Sequence, residues 1–240
     1  MCGIIGINST SNIKNNLIKC LKNLEYRGYD SVGVYLDKLI KTKGRVNDLI
    51  SLIPPSLDSH IGIGHSRWAT HGIVNNTNAH PFISYHHNYA LVHNGIINNY
   101  LILKEELINK GYTFESETDS EVIVNLLDYY YQKNNDSLKA LELTLKRIKG
   151  TYALCILDLN DEDTIYFAKK ESPLIIGLNE DFNFVVSDIV SSYFLTNEFI
   201  ILMYLFIYYT ILILCRSAKI KNNTSNLHVI LLDILIIYTY

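Results

Sequence analysis

Segments that read as strands gather in blocks towards the two ends of this chain, and most segments with helical spacing lie between them. At the front, residues 3–7 (GIIGI) read as a short buried strand. Ile13, Leu17, Ile18, Leu21 and Leu24 then recur at helical spacing up to the Arg27-Gly28 pair. Residues 31–36 and 38–44 read as strands joined by a turn, and 46–53 as a short helix stopped by Pro54-Pro55. Residues 60–68 and 89–95 are strands that each run into a polar loop. The middle holds an amphipathic helix over 98–111, ended by Gly111, a second over 120–131, and a third near 137–148 that stops at Gly150. Thr118-x-x-Glu121 has the spacing of a capping box for the second of these. Four strands follow at 151–159, 164–170, 174–178 and 182–187. This grouping predicts an α+β fold of antiparallel sheets with helices packed outside, and it argues against a doubly wound βαβ sheet.

At 240 residues the chain suits one domain, or one domain plus an appendage. The expected boundary is near residue 197. No glycine follows Gly177 and no proline follows Pro173, and the run 199–215 carries no charge. The expected division is a domain over 2–197 and an apolar tail over 198–240. Three readings of the tail stay open: a divergent or non-native segment, a membrane anchor over 199–215 flanked by Arg216, Lys219 and Lys221, or a buried core segment. The net charge of −3, with basic residues scattered, gives no electrostatic case for nucleic acid. Four cysteines without CxxC spacing fit a reduced, cytoplasmic setting, with Cys20 and Cys155 as small buried apolar residues. The histidine spacings match no zinc pattern, so no metal and no cofactor is expected.

Four motifs carry candidate chemistry. Cys2 directly follows the initiator methionine, and removal of Met1 would put a thiol and a free α-amine on one residue. The amine, with a pKa of about 7.7–8.0, can take the thiol proton and later return it to a leaving amine. Gly3 beside it permits close approach of substrate or backbone. Asn94-Gly95, at a strand end, offers a side-chain NH2 and a backbone N–H that can share one oxyanion, although Asn-Gly is also a frequent hairpin turn. In GHSRWATHG, Arg67 can fork onto a carboxylate, and Trp68, the only tryptophan, can shield a pocket, with Thr70 and His71 close by. Asp119, in a first helical turn, gains from the helix dipole and could also hold an ammonium group. A nucleophile with its own base, two oxyanion donors, an arginine and an aspartate together suit a free amino acid with a side-chain amide.

MCGIIGI, LEYRGYDSVGV, GHSRWATHG, NAHP, VHNGIINNY and SETDSE, in that order, resemble the glutaminase half of the glutamine–fructose-6-phosphate aminotransferases, within the N-terminal-nucleophile glutamine amidotransferases. The likeness covers roughly residues 2–190. It implies a four-layer αββα sandwich with two antiparallel sheets, loss of Met1, and attack of Cys2 on the amide of L-glutamine to give a thioester, ammonia and then glutamate. By the same likeness Asn94 and Gly95 line the oxyanion hole, Arg67 binds the substrate carboxylate with Thr70 and His71 nearby, and Asp119 binds the α-amine. Trp68 closes over the site, and Arg27 supports the nucleophile. The sugar isomerase half, which would use the ammonia to make glucosamine 6-phosphate, has no counterpart here, and the likeness fades after Asp188. A separate isomerase domain or chain is the implied partner. An inactive relic of the domain and a membrane-tethered form are the alternatives.

Overall fold

The two antiparallel sheets expected from the strand grouping lie face to face in the computed structural model, which describes residues 2–68, 73–161, 163–179, 181–201, 210–216 and 227–232. The chain runs β1 (Gly3–Ser9), α1 (Lys14–Leu24), β2 (Ser31–Leu36), β3 (Lys38–Lys43), α2 (Val46–Leu52), β4 (Ile61–Arg67), β5 (Phe82–Ile83) and β6 (Tyr89–Ile97). Three helices follow: α3 (Tyr100–Ile108), α4 (Asp119–Asn134) and α5 (Ser137–Arg147). The remaining strands are β7 (Gly150–Asp158), β8 (Thr164–Lys170), β9 (Ile175–Leu178), β10 (Phe182–Val186), β11 (Glu198–Ile201), β12 (Thr210–Arg216) and β13 (Leu227–Leu232). The first sheet has the order β11-β9-β10-β1-β4-β2-β3 and the second β13-β12-β8-β7-β6-β5. Every ladder between these strands is antiparallel.

Alternation along the strands explains the layering. In β1, Ile5 and Ile7 join the cluster formed with Leu17, Cys20, Leu21 and Leu24 of α1, while Ile4 points the other way into the space between the sheets. In β7, Leu154 and Ile156 pack towards α3–α5, whereas Ala153 and Cys155 face the first sheet. Both faces of the central strands are therefore apolar, which is why β1 and β7 read as nearly continuous hydrophobic runs. Three apolar clusters fill the three interlayer spaces, and the order helix, sheet, sheet, helix is the αββα sandwich. Cys20 and Cys155 are fully buried, and burial pushes the Cys20 thiol up to about 12.

Two local expectations are corrected. Thr118 occupies the cap position of α4 but makes no capping bond, because its hydroxyl is engaged with Ser116 Oγ at 3.0 Å. The Glu121 carboxylate instead accepts from the backbone N–H groups of Glu115 and Ser116, at 2.9 and 2.7 Å, which folds 115–118 back over the start of the helix. Gly3 meets Ser66 and Leu24 rather than open space: a Cβ there would lie 2.5 Å from Ser66 Oγ and 2.7 Å from Leu24 Cβ. It lets α1 and β4 close on the first strand.

Within 198–240, the described residues form three edge strands: β11 pairs with β9, β12 with β8, and β13 with β12. Among the described residues no helix is long and apolar enough to cross a membrane.

Candidate active site

Cys2 stands one residue before β1, and the β1–β4 register, Gly3 opposite Ser66, carries it to the end of β4 where Arg67 and Trp68 leave the sheet. Its Sγ accepts the Trp68 N–H at 3.2 Å and lies 3.4 Å from the Trp68 carbonyl oxygen. Burial pushes the thiol pKa up, and the Trp68 N–H and the charges of Arg67 and Arg27 only partly offset that. Gly28 leaves the room that the Trp68 N–H needs, since a Cβ at Gly28 would come within 2.5 Å of that nitrogen. The Cys2 carbonyl accepts from Arg27 Nε at 3.1 Å and from Asn94 Nδ2 at 3.0 Å. Arg27 in turn donates from Nη1 to Asp188 at 2.8 Å, and the Tyr26 hydroxyl shares the same carboxylate oxygen. Burial opposes the Asp188 charge, yet the bonds from Tyr26, the Val190 N–H and Arg27 hold its carboxyl below the usual carboxylate range.

Asn94 and Gly95 come from β6 of the other sheet. With Nδ2 committed to the Cys2 carbonyl, Asn94 turns Oδ1 towards His65 Nε2 at 2.9 Å, which assigns the proton of that imidazole to Nε2. His65 is fully buried, and burial lowers its pKa to about 3, so it is a neutral donor. Gly95 has φ +136°, and a Cβ there would lie 2.0 Å from the Thr151 carbonyl oxygen. No other residue fits that bend in the strand.

These groups open onto a cavity of about 70 Å³, lined by Cys2, Arg67, Asn94, Gly95 and Asp119, with Trp68, Tyr100 and Glu117 also on its wall. The Arg67 guanidinium is mostly withdrawn from solvent, which lowers its pKa against the opposing pull of Cys2, Asp30 and Asp119. Asp119 is fixed by the Ile97 N–H on Oδ2 at 2.8 Å, so the first turn of α4 is tied to the end of β6. Behind it Ser120 Oγ meets both His80 Nε2 and His93 Nδ1 at 2.9 Å. Trp68 is half-exposed and stands edge-on to Tyr29, with ring centroids 5.6 Å apart.

Of the residues singled out in the sequence, Cys2, Gly3, Arg27, Arg67, Trp68, Asn94, Gly95 and Asp119 fall in or directly behind this one site; Gly3 and Arg27 support it from outside the cavity. Thr70 and His71 lie outside the described residues. Among the described residues no group of histidine, cysteine and carboxylate side chains gathers as a metal site. The sequence reading missed His65, Asp188, Gly28, Tyr100 and Glu117. His65, Gly28, Tyr100 and Glu117 all sit inside motifs already quoted, GHSRWATHG, LEYRGYDSVGV, VHNGIINNY and SETDSE, and that adjacency was the available signal.

Residues 65–191 match the glutamine amidotransferase domain family, more than half of the chain. This chain belongs to that family. It is 45% identical over 208 residues to the glutamine–fructose-6-phosphate aminotransferase [isomerizing] of Listeria innocua, covering 85% of this chain and 34% of that protein. It is 48% identical over 195 residues to the protein of the same name from Caldanaerobacter subterraneus, covering 79% and 32%. The chain thus spans about a third of the length of these curated relatives. Among solved structures, the glutamine phosphoribosylpyrophosphate amidotransferase of B. subtilis superposes with a TM-score of 0.74 over 90% of this chain and 47% of that one, at 23% identity. That likeness establishes the shared amidotransferase fold.

Proposed function

We propose that this glutamine amidotransferase domain hydrolyses L-glutamine to glutamate and ammonia through a thioester on Cys2. The observation that carries the reading is the single cavity onto which segments as distant as Cys2, Arg67, Asn94–Gly95 and Asp119 converge. Arg67 holds the α-carboxylate of glutamine and Asp119 the α-ammonium, with Thr70 and His71 assigned to the carboxylate end. With Met1 removed, the Cys2 amine takes the thiol proton and the sulfur attacks the side-chain amide carbon. The developing oxyanion is stabilised by the Gly95 N–H and by the Asn94 N–H not engaged with the Cys2 carbonyl. The Cys2 ammonium returns the proton to the leaving nitrogen, the C–N bond breaks, and ammonia departs. Water, activated by the same amine, then attacks the thioester, and glutamate leaves as sulfur recovers its proton. Trp68 shields the reacting centre.

A glutamine analogue bearing an electrophilic diazoketone tests this reading. The intact mass should first show loss of Met1, and the reagent should then add once, at Cys2, with glutamine protecting and Cys2→Ala unreactive. A folded, Met1-processed protein that forms no adduct would support the relic reading instead. We assign residues 2–197 to this chemistry, since every residue given a role lies there. Deletion of 199–240 should leave a folded domain that still takes the label; loss of folding would place those strands within the domain. In a longer assembly we take the acceptor of the ammonia to be a separate sugar-phosphate isomerase domain or chain, in line with the names of the relatives.

A further inference from the structure

The site is split between layers. Cys2 and Arg67 come from the first sheet, and Asn94, Gly95 and Asp119 from the second sheet and the helix upon it. A substrate held at both its carboxylate and its ammonium end senses the spacing of the two halves, so something must fix that spacing at the recognition end. Asn78 bridges it with every polar atom of its amide. Its Nδ2 donates to the Ile73 carbonyl at 3.0 Å and to Glu117 Oε2 at 3.1 Å, and its Oδ1 accepts the Glu117 N–H at 3.1 Å. The same Glu117 oxygen accepts the Ile73 N–H at 3.3 Å. Asn78 is 1% exposed, and its own backbone N–H is taken by Asn75 Oδ1 at 2.7 Å.

The peptide carbonyls on either side of Asn78 are anchored to the first sheet. Lys41 Nζ, from β3, donates to the Thr77 carbonyl at 3.2 Å and the Ala79 carbonyl at 2.8 Å. On the other side, Glu117 stands two residues before Asp119, in the segment that Glu121 folds back over α4. A continuous chain of short bonds therefore runs from β3 through Asn78 and Glu117 to the start of the helix that carries Asp119. Asn78 is buried and Glu117 exposed, so this chain of hydrogen bonds runs from the interior out to the rim of the cavity.

We propose that Asn78 and Glu117 are positioning residues for substrate recognition: they lock the first sheet to the Asp119 segment at the spacing an α-amino acid requires. This rests on the reading of Arg67 and Asp119 as the two ends of the substrate site. Glu117 acts through its oxygen as an acceptor and not through its charge on the substrate.

The test compares two reagents on Cys2: iodoacetamide, which needs no amino-acid recognition, and the glutamine-like diazoketone. Glu117→Ala should raise the half-saturating concentration of the diazoketone about tenfold, with its limiting rate and the iodoacetamide rate within about threefold of the parent protein. Glu117→Gln, which keeps an acceptor oxygen and removes the charge, should stay within about threefold of the parent. Asn78→Asp, which sets a second carboxylate against Glu117 Oε2, should weaken diazoketone labelling at neutral pH and leave the iodoacetamide rate within about threefold of the parent. Glu117→Gln as weak as Glu117→Ala, or Glu117→Ala indistinguishable from the parent, would overturn the proposal even if Asn78→Asp fails to fold. Absence of diazoketone labelling in the parent protein itself would instead sink the glutaminase reading.

Discussion

Truncating Asn94 to alanine separates the chemistry of the site from its stability, because the two amide ends do different work. The Nδ2 group donates one hydrogen to the Cys2 carbonyl at 3.0 Å, and its second is the one proposed to reach the oxyanion. Loss of one such donor costs about 2.7–4 kcal/mol in the transition state, a fall in kcat of about 10²–10³. The Oδ1 group accepts from His65 Nε2 at 2.9 Å, and His65 is fully buried. Leaving that N–H without its acceptor costs about 1–3 kcal/mol of folding stability. The Cys2 carbonyl keeps its bond from Arg27 at 3.1 Å, so the nucleophile stays anchored. Glutamate release measured against glutamine concentration should therefore show the loss almost wholly in kcat. KM should move by less than about threefold, because the donor acts on charge that develops only in the transition state. Urea unfolding gives the stability change independently. A folded Asn94→Ala protein with kcat within about fivefold of the parent, or a loss carried by KM alone, would refute the assignment of Asn94 as an oxyanion donor.

Acid should destabilise the domain through its buried histidines. His65 has a pKa lowered to about 3 by burial, whereas in the unfolded chain it titrates at about 6.5. As pH falls, the unfolded state takes up the proton first, so the stability present above pH about 6.5 is progressively lost below it. At pH 5 His65 alone accounts for about 2 kcal/mol, and burial lowers His80 and His93 in the same direction. Urea midpoints at pH 7.5 and pH 5 check this, and a flat dependence would contradict it. Asp188→Ala should cost about 1–3 kcal/mol by removing the carboxylate that receives both Arg27 and Tyr26. It should also alter the rate at which iodoacetamide reaches Cys2, since Arg27 links Asp188 to the Cys2 carbonyl. An unchanged rate in the destabilised variant would show that Arg27 holds its position without Asp188.

The sequence showed most clearly what one strand or helix decides alone. Ile4, Ile5 and Ile7 mark β1 because a strand buried on both faces has no polar positions, and Leu17, Leu21 and Leu24 mark α1 because a single stripe faces the sheet. The two-residue β5 is too short to leave a period. The capping box at Thr118 misled because Glu121 has a better use: two N–H groups from the reversed segment 115–116 lie within its reach, and nothing local foretells that. Residues to which a direct chemical role is proposed, such as Cys2, Arg67 and Asn94, could be singled out from residue type and motif, and the fold brings them to one cavity. Of those that act through another residue, Arg27 was legible only through its motif, and Asp188 and His65 were not. Asp188 matters because β10 lies beside β1, and His65 because β4 faces β6 across the sandwich, and both facts belong to tertiary packing.

The separation of the two sheets is itself written into two small residues far from the cavity mouth. A Cβ on Gly6 of β1 would lie 2.4 Å from Cys155 Sγ of β7, so the sheets meet there only because one side chain is absent and the other is compact. Four residues away along β1 the same approach brings the Cys2 carbonyl within 3.0 Å of Asn94. Interiors packed at crystal-like density transmit such a contact instead of absorbing it. A larger residue at either position would part the sheets, and the first bond to lengthen would be the one between Asn94 and the Cys2 carbonyl. The apolar core between the sheets is in this sense part of the active site's geometry, and the glycine-rich, β-branched start of the chain serves the fold and the chemistry through the same spacing.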